Sequence, residues 1–142
     1  MSLTLDDYKI IFEQRVDWGD MDALGHVNNV IYYRYIENAR IYYMDQLNIR
    51  RADINTVIAS SQCRYLCPTV YPDQLSIGIR IEEIRNSAIR MSYLLYSQQQ
   101  QQVVAVAEAV QVMLDKHTQQ KTPIPDELRQ RILSLETHLE TK

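Results

Sequence analysis

The stretch from Val30 to Leu47 most constrains the fold. It contains no Gly or Pro, and Val30, Ile31, Tyr32, Tyr33, Tyr35, Ile36, Ala39, Ile41, Tyr42, Tyr43, Met44 and Leu47 place apolar or aromatic groups around most of a helical circumference. Such a helix is expected to be buried rather than laid half-exposed on a surface. At about 1.5 Å per residue it would run about 27 Å. Its tyrosines have weak helix propensity, so tertiary packing must hold it.

The remaining chain supplies a sheet to do so. Apolar residues alternate with polar ones from about Tyr8 to Trp18, predicting a first strand before the helix. After the helix and a polar linker, Thr56–Cys67 reads as a strand ending before Pro68. In Gln74–Arg85, Leu75, Ile77, Ile79 and Ile81 take one face and Ser76, Gly78, Arg80 and Glu82 the other. Ala88–Ser97 repeats this alternation, and Val103–Leu114 is a long strand of small and β-branched residues. The glutamines 98–102 fit a solvated hairpin turn. Pro123 and Pro125 introduce a short helix with Leu128, Ile132, Leu135 and Leu139 on one stripe. One early helix before four consecutive strands predicts an α+β domain, with the sheet wrapped around the helix. An open sheet edge and the apolar excess predict a partner subunit.

At 142 residues the chain is expected to form one domain, residues 1–142. Apolar content of 46% and charged content of 23% are ordinary for a soluble globular protein. A formal charge of -3 offers no basic footprint for nucleic acid. There is no apolar run of about 18 residues to span a membrane. Residues Met1 to Tyr8 carry acids and lack the pattern of a signal peptide, so the cytoplasm is the expected location. Cys63 and Cys67 would lie on one strand face about 13 Å apart, too far for a disulfide, and are expected to be reduced packing residues.

Chemistry is concentrated just before the helix, in Asp20-Met21-Asp22-Ala23-Leu24-Gly25-His26-Val27-Asn28-Asn29. A helix begins with free N–H groups and a positive dipole end. A carboxylate and a polarised carbonyl oxygen both sit well there, which is one way to assemble an acyl-transfer site. Asp22 is the candidate base or nucleophile, expected to be ionised; alternatively Asp20 and Asp22 only cap turns. His26 is either an acid or orienting group or a partner of the turn. Asn28 or Asn29 is the expected N-cap, and Gly25 the expected site of a positive φ. No metal is expected. Asp20-x-Asp22-x-x-Gly25 opens like a calcium loop, but Leu24 and Ile31 occupy later ligand positions, and Asp20, Asp22 and His26 have no further ligand cluster. No cofactor motif is present.

The order of these residues resembles the signature of the hotdog-fold acyl-CoA thioesterases of the 4-hydroxybenzoyl-CoA thioesterase type. Asp20 to Asn29 is similar to that family's D-x-D-x-x-G-H-V-N-N pattern, and Tyr32 to Arg40 resembles its helix continuation, Y-x-x-Y-x-E-x-A-R. Pro72-Asp73 stands where the family usually has Gly-Asp, and Pro123-Ile124-Pro125 resembles its closing I-P segment. The resemblance implies a hotdog fold and hydrolysis of an acyl-CoA thioester, of a fatty or aromatic acyl group, in a site shared between subunits of a homodimer or homotetramer. It implies Asp22 as base or nucleophile and the amide near Asn29 as the group polarising the carbonyl. Arg85, with Arg90 and Arg64 as weaker candidates, would meet the nucleotide part of CoA. An acyl-carrier-protein thioesterase and a non-catalytic acyl-CoA-binding module are the alternatives.

Overall fold

The computed structural model describes residues 3–48 and 54–139. The strands are β1 (Ile10–Val16), β2 (Ile54–Tyr65), β3 (Asp73–Ile84), β4 (Ala88–Ser97) and β5 (Gln102–Asp115); the α-helices are α1 (Asn29–Gln46) and α2 (Asp126–Leu135). One-turn 3-10 helices cover Leu5–Asp7 and Trp18–Asp20. The five strands form one antiparallel sheet in the order β1-β3-β4-β5-β2. The predicted α+β order is therefore observed.

Alternation decides which face is covered, because successive strand residues point to opposite sides. Leu75, Ile77, Ile79 and Ile81 of β3 and Ile89, Met91, Tyr93 and Leu95 of β4 are almost fully buried. They form a core with Tyr35, Ile36, Ala39 and Tyr43 of α1. Burying each such aliphatic side chain stabilises the fold by about 1.5–3 kcal/mol. Gln98, Gln99, Gln100 and Gln101 form the β4–β5 turn, as expected, and Gln102 opens β5.

Three features differ from the sequence-based expectation. First, β1 is shorter than predicted. At its front, Tyr8 caps the 3-10 turn and lies over Gly78, where a Cβ would meet its ring at 2.5 Å. At its end, Asp17 and Asp20 cap one another's backbone and Trp18 starts the second 3-10 turn. Second, α1 is buried on one face only. Val30 is 72% exposed, and Tyr33, Ile41 and Tyr42 are also exposed, because the sheet of a single chain covers one side of the helix. Third, β2 is shifted by two residues from the predicted Thr56–Cys67, so that Cys67 lies past its end and does not share a strand face with Cys63. The strand is the expected open edge, and every residue from Thr56 to Gln62 is exposed. A cleft of about 460 Å³ separates β2 from α1, with Ile41, Met44, Ile54 and Val57 among its walls. Gln111, 5% exposed, also lines it, and its buried Oε1 has no hydrogen-bond partner among the described residues.

Candidate active site

The loop between β1 and α1 folds back on itself. The Asp22 N–H donates to the His26 carbonyl (3.0 Å), the Gly25 N–H donates to the Asp22 carbonyl (3.0 Å), and Met21 bridges to Val27. Gly25 takes φ +88°, the positive value expected of it, and no atom lies within 4 Å of where its Cβ would be. Backbone conformation, not crowding, therefore requires glycine here. The turn sets Asp22 beside His26. An Asp22 carboxylate oxygen accepts the Leu24 N–H at 2.9 Å, an Asx turn that fixes the side chain.

Helix α1 begins directly after this turn. Asn28 is the N-cap: its Oδ1 accepts the Val30 N–H (2.9 Å) and its carbonyl the Ile31 N–H (2.9 Å). That leaves the Asn29 N–H without an acceptor among the described residues, at the positive end of an 18-residue helix. A pocket of about 240 Å³ opens there, lined by His26, Val27, Asn29, Tyr32, Tyr65, Leu66, Cys67 and Pro68. The Tyr65 hydroxyl donates to the Asn29 carbonyl at 2.9 Å, and its ring meets that of Tyr32 edge-on at 5.0 Å. Burial, then the neighbouring Cys63, pushes the Tyr65 phenol up to about 12, so it stays a donor at neutral pH. Burial likewise pushes the Cys63 thiol up, consistent with a packing role.

Further contacts hold the loop to the body of the protein. The Asp20 carbonyl accepts the Asn28 N–H (3.1 Å), and its carboxylate accepts the Tyr35 hydroxyl (2.5 Å) and the Asp17 N–H (3.3 Å). Thr69, fully buried, accepts the Val27 N–H on its carbonyl (2.8 Å) and the Tyr32 hydroxyl on its Oγ1 (2.9 Å). Desolvation, then the Asp20 carboxylate, holds the Tyr35 phenol far above its ordinary value.

Of the residues singled out from sequence, Asp22, Gly25, His26, Asn28 and Asn29 thus lie together. Arg85 and Arg90 do not join them within one chain. Arg85 follows β3 at the end remote from Asp73, a strand's length of about 40 Å at 3.3 Å per residue. Its guanidinium pairs with Glu83 (2.7 Å), while Arg90 pairs with Glu83 (3.4 Å) and Glu108 (3.6 Å). Arg64 is exposed on β2. Tyr65, Cys67 and Thr69 enter the neighbourhood from the end of β2 and the segment after it, and no local pattern marks them.

Comparison with known proteins gives this geometry a context. The sequence pattern of the thioesterase-like superfamily matches residues 16–132. The long-chain acyl-CoA thioesterase FadM of Escherichia coli is 28% identical over 116 residues, 79% of this chain and 88% of that protein. The uncharacterized protein YsmA of Bacillus subtilis is 33% identical over 81 residues, and the match spans about half of it (55%). The solved structure of a thioesterase complexed with coenzyme A and Zn from Thermus thermophilus superposes with a TM-score of 0.82. It is 28% identical, and the match covers 93% of this chain and 98% of that one. A five-stranded antiparallel sheet around one central helix is the hotdog arrangement.

Proposed function

Since this chain belongs to the thioesterase-like superfamily and is a thioester hydrolase, we propose that it cleaves a fatty or aromatic acyl-CoA to the free acid and CoA. The observation that carries this reading is the Asn29 N–H at the head of α1, without an acceptor among the described residues, beside a pocket next to the Asp22–His26 turn. A thioester carbonyl docked in that pocket would accept the Asn29 N–H. Negative charge developing on its oxygen would be met by that donor and the helix dipole. Asp22 acts either as a base, taking a proton from the attacking water, or as a nucleophile whose acyl anhydride is then hydrolysed. CoA leaves as its thiolate. His26, on the pocket wall, orients the thioester or protonates the departing sulfur. Gly25 and Asn28 shape the turn and the helix start.

Coenzyme A as carrier is supported by the ligand named for the Thermus structure and by the name of the Escherichia coli relative. The Tyr32–Tyr65 pair beside the pocket favours an apolar or aromatic acyl group. The site works as part of a homodimer or homotetramer. An edge strand exposed on both faces and the exposed stripe of α1 both ask for a second subunit at that side. Arg85 and Arg90 would then meet CoA phosphates only across an interface between copies.

The test is release of free thiol from a panel of acyl-CoAs, run beside calorimetric binding of the same compounds. Turnover of at least one thioester supports the proposal and reports the acyl preference. Binding without turnover throughout the panel would leave a non-catalytic acyl-CoA-binding module in its place.

A further inference from the structure

We propose that Tyr35 is a positioning residue for hydrolysis: through Asp20 it fixes the Asp22 turn against the amino terminus of α1. The inference rests on the reading of Asp22 as base or nucleophile. Tyr35 is 1% exposed, lies on the second turn of α1 and does not line the pocket at Asn29. Its hydroxyl donates to the Asp20 carboxylate at 2.5 Å, and the Asp20 carbonyl in turn accepts the Asn28 N–H at 3.1 Å. Asn28 caps the same helix. A closed ring therefore runs from Tyr35 to Asp20, across to Asn28 and back along α1, and the Asp22 turn is the stretch of chain that this ring closes off. A second tether stands one helical turn away, where the Tyr32 hydroxyl donates to Thr69 (2.9 Å) and the Thr69 carbonyl accepts the Val27 N–H (2.8 Å). The two tyrosines are three residues apart, so both hydroxyls leave one face of the helix. One grips the loop at its entrance, the other at its exit.

A core tyrosine needs a partner for its hydroxyl wherever it is buried, so stability alone would explain one such bond. Here each acceptor also carries a backbone bond of the catalytic loop. Reactive groups tolerate little displacement, and a misplacement of about 1 Å can lower a rate about a hundredfold. Removing the Tyr35 oxygen should therefore act on the reaction rather than on substrate binding.

Tyr35→Phe is expected to lower kcat about tenfold or more with KM for the acyl-CoA unchanged. Asp20→Ala should match it, Asp20→Asn should restore most of kcat by keeping an acceptor, and the double variant should be no slower than either single one. Tyr43→Phe is the matched control. It also removes a buried hydroxyl of α1, one that donates to Glu136 remote from the loop (2.8 Å), and should lower Tm without lowering kcat. Wild-type kcat in Tyr35→Phe, or additive losses in the double variant, would overturn the proposal. Amide hydrogen exchange separates this from failure of the hydrolase reading. If the wild-type protein turns over no thioester, lost protection of the Asn28 N–H in Tyr35→Phe still supports the tether, and unchanged protection overturns it.

Discussion

Gly25 is the residue at which backbone geometry and chemistry meet most tightly. Its φ of +88° closes the turn that pairs Asp22 with His26, and a side chain there would be strained although space is available. Gly25→Ala is expected to lose about 1–2 kcal/mol in urea denaturation and to lower kcat as the turn relaxes. An unchanged denaturation midpoint would contradict this. Gly25, Asp22 and the asparagine cap were legible in the sequence because turns and helix starts are local, set by residues within a few positions of one another. Tyr65 and Thr69 were not, because they reach Asn29 and Tyr32 from 36 and 37 residues away. The role of Asp20 was half legible: a capping acid was expected, but its Tyr35 partner is a tertiary contact.

Among the elements, α2 shows how a short amphipathic helix secures the central one. Of the predicted stripe Leu128 and Ile132 are buried and Leu135 is half-buried, while Leu139 lies beyond the end of the helix and packs on the core from the turn that follows. Just past its end, Glu136 is 2% exposed and accepts both the Tyr43 hydroxyl (2.8 Å) and the Ile81 N–H (2.7 Å). One carboxylate so joins α2, α1 and β3. Glu136→Ala strands two buried donors and should lower stability by about 3 kcal/mol, whereas Glu136→Gln keeps an acceptor and should lose clearly less. Equal losses would deny the oxygen this bridging role. The strands β3 and β4 were readable because one face is wholly buried, and burial imposes the period of two. For α1 the same logic misled. Its all-round apolar surface was expected to be covered, yet a single sheet face can meet only one side of a helix. What covers Val30, Tyr33 and Ile41 is not written in the local pattern.

The molecule as a whole carries many buried phenols. Desolvation raises Tyr32, Tyr35, Tyr43 and Tyr93 above the ordinary tyrosine value. Unfolded tyrosines lose their protons near pH 10. The stability these groups contribute is therefore intact below about pH 10 and drains as pH rises beyond it, at up to about 1.4 kcal/mol per pH unit for each buried phenol. Urea denaturation between pH 8 and 11 should be flat and then fall, with a shallower fall in Tyr43→Phe. The proposed homo-oligomer would pair along the exposed edge strand, so Ile58→Asp there is expected to lower the mass in light scattering and the activity with it. An unchanged mass would contradict pairing along this edge. Central to all of this is the role proposed for Asp22, attack on the thioester or activation of water, and the most direct measurement is kcat for Asp22→Asn beside wild type on the best acyl-CoA, with thermal melting of both. A loss of about a hundredfold or more with an unchanged Tm is predicted; a kcat within a few fold of wild type would show that the hydrolysis runs without this carboxylate.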